Sequence, residues 1–231
     1  MNILPPEELE KVTKALWAPT PRSTLFSITE EGDKFVLDNL QYRGGLYRLE
    51  WGKELLDGGK SHTQEEWVTQ FPNRIPNVPL YHAAIMALYR NRDGYFQQQV
   101  EEMKERFIDD FRKFGLMTTS SRVIYRSSEE EDRFVHGYKS DDCFFSQTRF
   151  GCGADKKWKA LLDTTDLEEM ELAYEWLTGQ RPPLWRFYRL LGAKVELVIT
   201  LDLIDGLTLQ AQDSPDEQLP AHGVIAQRIS E

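Results

Sequence analysis

Residues 95–114 read YFQQQVEEMKERFIDDFRKF, and everything else in the chain arranges itself around them. Phe96, Val100, Met103, Phe107, Phe111 and Phe114 recur at steps of four, three, four, four and three, the spacing that sets side chains on one stripe of an α-helix. Gln98, Glu101, Glu102, Glu105, Asp109 and Arg112 take the other side, with Glu102–Arg106 and Asp109–Lys113 at the acid-before-base spacing that supports a helix. Each buried aromatic or aliphatic side chain is worth roughly 1.5–3 kcal/mol. The stripe therefore predicts a helix over 95–114 with one face sealed in a core.

On the N-terminal side, Leu80 to Tyr89 has helical spacing with Ala84, Ala87 and Leu88, and Asn91-Arg92-Asp93-Gly94 is a turn, so the two segments form an αα-hairpin. Phe71 to Pro79 holds Pro72, Pro76 and Pro79, which predicts an extended surface linker. Thr63 with Glu66 is a capping box ahead of Trp67. Further back, Phe26/Ile28, Phe35/Leu37 and Leu46/Leu49 are separated by Glu31-Gly32-Asp33 and Gly44-Gly45, the pattern of a small antiparallel meander. Pro5 and Pro6, followed by Leu9, Val12 and Leu16 and then Pro19, predict a short opening helix.

On the C-terminal side, Ser121–Arg126 and Arg133–Tyr138 are β-prone runs flanking the acidic loop Ser127 to Asp132, and Cys143 to Phe150 offers a third strand. Thr165 with Glu168 forms a second capping box, followed by the stripe Leu167, Met170, Tyr174 and Leu177 and a stop at Gly179. Pro182-Pro183 opens one more short helix. Val195, Leu197, Ile199, Leu201 and Leu203 alternate as a long strand, turned by Asp205-Gly206 into Leu207 to Ala211, and Val224 to Arg228 supplies an edge strand or a frayed end. Strands and helices without a βαβ rhythm give an α+β class built on antiparallel strands and a central αα-hairpin. Residues 1–231 are expected to form one domain, with 1–70 as a possible β-meander subdomain beside a body at 80–231.

The 231 residues carry a formal net charge of −10, with 40% hydrophobic and 29% charged residues, the balance of an ordinary soluble globular chain. That acidity argues against a general polyanion binder, since affinity for nucleic acid rests on neutralising phosphates with Lys and Arg. The opening Met-Asn-Ile-Leu-Pro-Pro-Glu-Glu lacks the basic and apolar regions of a secretory leader, and no apolar run is long enough to span a bilayer. A cytoplasmic location without membrane contact is expected. Cys143 and Cys152 make no disulfide framework.

His62, His82, His136 and His222 are too scattered to form a metal-ligand pair, and no phosphate-loop, dinucleotide or nucleophile-elbow signature occurs. No metal or cofactor is expected. One polar cluster stands out, from Thr118-Thr119-Ser120-Ser121-Arg122 through His136 to Asp141-Asp142. Arg122 would fork a phosphate or carboxylate, and His136 beside Asp141 or Asp142 would move a proton. The same residues also suit a solvated sheet face. His136-Gly137-Tyr138 resembles the His-Gly strand of ADP-ribosyltransferases, a likeness that would also require a paired tyrosine and often a glutamate in later strands, neither of which the tripeptide fixes.

Arg181 to Arg189 interleaves Trp185, Phe187 and Tyr188 with Arg186 and Arg189, and Lys156-Lys157-Trp158-Lys159 repeats the mixture. Such residues stack on bases, but they are also enriched in protein interfaces, and the overall acidity favours the second use. Trp158, Trp185, Arg186 and Arg189 are thus candidate binding residues. The expected function is that of a non-enzymatic accessory, regulatory or phage-type structural protein that binds another protein or itself. The alternatives are an enzyme acting on a phosphate- or nucleotide-bearing substrate through Arg122, His136, Asp141 and Asp142, and a nucleic-acid-associated factor.

Overall fold

The computed structural model describes residues 26–72, 75–115, 117–125, 132–136, 142–145, 161–162, 166–180, 195–203, 207–221 and 223–230. The N-terminal meander forms as read. β1 (Ser27–Glu31), β2 (Lys34–Tyr42) and β3 (Gly45–Gly52) pair antiparallel, and Gly32 at φ 68 makes the first turn. β9 (Val224–Ser230) returns to pair antiparallel with β3, giving the order β1-β2-β3-β9. Ile28, Leu37, Leu49 and Ala226 stand in register across all four strands and are buried. Across β1, β2 and β3, Arg48 reaches Asp38 at 3.2 Å and Glu31 at 3.1 Å, while Lys34 meets Glu50 at 2.6 Å. Sheet pleating sends alternate residues to opposite sides, so Ile28, Leu37 and Leu49 take one side and these ion pairs take the other, with Val36 buried among them.

α1 (Gln64–Gln70) carries the expected capping box, with the Thr63 hydroxyl accepting from the Glu66 N–H and the Glu66 carboxylate accepting from the Thr63 N–H. The expected surface linker is corrected. Ile75 and Pro76 are buried, and α2 (Val78–Arg90) already begins at Val78. Three prolines remove donors but no acceptors: the Pro76 carbonyl accepts from the Ser120 N–H at 3.1 Å. Pro79 falls in the first helical turn, where its missing N–H leaves no gap, and Asn77 caps that turn by accepting from the Leu80 N–H.

A short turn at 91–96 leads into α3 (Gln97–Phe114), the helix read from residues 95–114. Val100, Met103, Phe107 and Phe111 are buried along its stripe, Phe96 meets Phe26 edge-on at 6.5 Å, and Gly115 at φ 75 ends it. Its solvent face shows Glu101–Lys104 and Asp109–Arg112 pairs at i,i+3 spacing. Asp110, also buried, accepts from the Trp51 indole N–H at 2.9 Å and ties the helix to β3. α4 (Leu167–Thr178) buries Met170, Ala173, Tyr174 and Leu177 and stops at Gly179 as expected. Its cap is shifted by one residue from the expected box: Asp166, not Thr165, accepts from the N–H of Glu169. Both readings satisfy the spacing rule, and Asp is an equally good cap.

The second sheet has the order β6-β5-β4-β7-β8 and is antiparallel throughout, with β4 at Met117–Tyr125, β5 at Asp132–His136, β6 at Asp142–Phe145, β7 at Val195–Leu203 and β8 at Leu207–Asp213. β7 buries Leu197 through Leu201 on both faces, as an interior strand can. α2 and α3 touch strands of both sheets, and one apolar core runs from Leu37 and Trp51 through Ile85 and Phe107 to Ile199 and Leu201. The fold is α+β.

Candidate functional site

The polar run at 118–122 is built differently from its expected role. Thr118, Thr119, Ser120 and Ser121 are buried, and β4 bulges against β7 between Thr118 and Arg122. There the Thr119 hydroxyl donates to the Ile199 carbonyl at 2.6 Å and accepts from the Ser121 N–H at 3.0 Å, while the Ser121 hydroxyl accepts from the Val78 N–H at 3.0 Å. Gln64, buried on α1, donates to the carbonyls of Thr119 at 2.7 Å and Ser121 at 3.1 Å. A bulge leaves ladder groups unpaired, and these hydroxyl and amide side chains supply the missing partners. They are structural stitching.

Arg122 extends from the same strand to Glu196 of β7, with Nη1 2.6 Å from Oε1 and both side chains partly exposed. In the hairpin of β4 with β5, Ser121 stands opposite His136 and Arg122 opposite Val135. Neighbouring positions on a strand face opposite sides, so positions 122 and 136 belong to different faces of the sheet. Asp142 begins β6, across from Val135. The side chains of His136 and Asp142 lie outside the described residues, as do Asp141, the 127–131 loop, Gly137-Tyr138, the 156–159 run, Trp158, the 181–189 run with Trp185, Arg186 and Arg189, Cys152, His222 and the expected helix at 5–16.

An open groove of about 530 Å³ lies along α1, lined by His62, Thr63, Glu65, Glu66, Thr69 and Gln70. At its end His62 Nε2 meets Asp57 Oδ2 at 2.9 Å, and the ring stands edge-on over Trp67 at 4.5 Å. That hydrogen bond, more than any other contact, holds the Asp57 carboxyl below its usual range. Glu66 is likewise held down, first by the Thr63 N–H. Trp67 donates to the Leu219 carbonyl at 2.8 Å, and residue 62 bridges residue 219 through both backbone groups. The backbone bonds of His62 and the Trp67 indole pin this segment to the strand-like run before β9, and the Asp57–His62 pair closes the turn that leads into it.

A second surface gathers where the end of α2 meets α3 and α4. The Trp176 ring lies 5.9 Å from Tyr89, the Lys104 ammonium sits 4.9 Å above Trp176, and the Arg92 guanidinium 3.8 Å above Tyr89. Leu172, one turn before Trp176 on α4, is 47% exposed, and Tyr95 in the adjoining turn is 92% exposed. Arg90 forks Glu169 with bonds of 2.8 and 2.6 Å at the edge of this patch. Sequence spacing gave one hint of it: Leu172 and Trp176 are four apart on the flank of a helix whose buried stripe is complete without them.

Beneath that patch His82 Nδ1 lies 3.0 Å from the Tyr174 hydroxyl, with the rings stacked at 5.8 Å. Burial, with Arg90 nearby, pushes the imidazole down to about 3, and burial pushes the Tyr174 phenol up. Asp110 is pushed the opposite way to Asp57, up, because burial outweighs the Trp51 hydrogen bond. Among the described residues no group of three or more His, Cys, Asp or Glu side chains converges to hold a metal ion, and no helix is long and apolar enough to cross a membrane. No protein-family model, curated protein or solved structure matches the chain.

Proposed function

We propose that this chain is a non-enzymatic protein-interaction or self-assembling accessory protein, docking through the surface shared by α2, α3 and α4. The observation that carries it is the patch of Leu172, Trp176, Tyr89, Arg92 and Lys104. Aromatic residues and arginine at the centre of a patch, with charges at its rim, are the composition that protein interfaces favour. Here the ring faces are already braced by Lys104 and Arg92, so little side-chain freedom remains to be lost on docking. The carboxylates Glu169 and Glu101 stand at the rim in ion pairs with Arg90 and Lys104.

Leu172→Glu tests this. Sedimentation equilibrium of the full chain at micromolar concentration is expected to give a mass above the monomer that falls to the monomer in the variant, or affinity capture to retain a partner that the variant loses. A monomer at every concentration, together with identical capture by wild type and variant, overturns the reading.

A further inference from the structure

We propose that α4 is an acid-released clamp: protonation of His82 and then Glu169 frees this helix from α2 while both sheets stay folded. Besides the apolar core they share, three side-chain contacts among the described residues join the two helices, namely His82 to Tyr174, Arg90 to Glu169 and Tyr89 against Trp176. Two of the three depend on protonation state. His82 is 3% exposed, and its buried Nε2 has no hydrogen-bond partner among the described residues. A neutral imidazole carries one proton and satisfies Tyr174 in either tautomer. A second proton creates a buried cation with only one of its two donors placed, and such a charge is expelled rather than tolerated.

The groups around His82 reinforce this. Arg90, on the same helix, repels a charged imidazole. Glu169, from α4, attracts it, but its carboxylate is already engaged by Arg90 and loses its own charge in stronger acid. Tyr174, also from α4, is neutral. A detached α4 returns His82 to water, where it protonates at its ordinary value.

The sign follows from the two shifts. His82 is depressed in the folded molecule, so its contribution to docking α4 is complete above about 6.5 and is lost as pH falls toward about 3. Glu169 is also depressed, first by the Arg90 bond, and its contribution fails below the ordinary carboxylate range. Release begins with His82. α4 packs mainly on α2 and α3, so its departure leaves the β-ladders untouched.

Hydrogen exchange of the full chain at pH 7.5 and 5.0, corrected for intrinsic rates, is the test. The opening constant of 167–178 is expected to rise about 30-fold while β2 and β3 hold their protection. In His82→Gln the selective rise disappears. Simultaneous loss of protection in α4 and β2–β3, or a His82→Gln protein that keeps the rise, overturns the proposal. Should that variant not fold, Glu169→Gln serves: several-fold faster exchange of α4 at pH 7.5, with β2–β3 unchanged, supports the clamp, and unchanged α4 exchange refutes it.

Discussion

Asp110→Asn and Asp110→Ala separate two things the buried Trp51–Asp110 contact could contribute, a hydrogen bond and a charge. The indole N–H of Trp51 is 2.9 Å from the carboxylate, and both residues are buried between β3 and α3. Truncation to alanine leaves that N–H without this acceptor, which costs about 1–3 kcal/mol. Asparagine keeps an acceptor oxygen in the same place and removes the charge. Because burial raises the Asp110 pKa in the folded protein, its contribution to stability is complete below the unfolded value and lost as pH rises through the folded one. Asp110→Asn is thus expected to equal or exceed wild type in urea unfolding at pH 7, by a margin that shrinks as pH falls toward about 4. Asp110→Ala is expected to be the weakest of the three at pH 7. If asparagine destabilises as much as alanine at pH 7, the indole needs the ionised carboxylate and the account is wrong.

Gly223→Ala places a Cβ 1.9 Å from the Glu54 carbonyl oxygen, and the overpacking is expected to cost at least about 1–3 kcal/mol, seen as a lower Tm. Thr119→Val removes the hydroxyl that joins the Ile199 carbonyl to the Ser121 N–H and is expected to cost about 1–3 kcal/mol in urea unfolding. A double-mutant cycle of Arg122→Gln with Glu196→Gln should return a coupling below about 1 kcal/mol that fades with added salt, because both side chains reach solvent.

The long helix was legible because one face of it meets the core and the other meets water, so Val100, Met103, Phe107 and Phe111 mark a period that survives in the sequence. The meander was legible for the same reason at period two. β7 was legible as a strand from its alternation over Val195–Leu203, but its second buried face was not: Val198 and Thr200 are as buried as Leu197 and Ile199. The segment at 71–79 misled because counting prolines counts lost donors and overlooks the carbonyl of Pro76. At 118–121, serines and threonines looked like an exposed polar end, whereas a bulge had turned them inward to replace backbone partners. Contacts such as Trp67 with the Leu219 carbonyl, or Tyr89 with Trp176, depend on how separate elements pack, and residue spacing carries no record of that.

β9 completes the first sheet by pairing with β3, bringing Val224 beside Trp51 and Ala226 beside Leu49. During synthesis the meander therefore waits, with one flank of β3 unsatisfied, until residues 224–230 have left the ribosome. At about 5–20 residues per second that interval lasts on the order of ten seconds or more. Throughout it, the bare rim of β3 is a template for any passing extended segment. A nascent chain halted before residue 224 would expose this vulnerability permanently, making β9 the strand that converts an adhesive rim into a covered one.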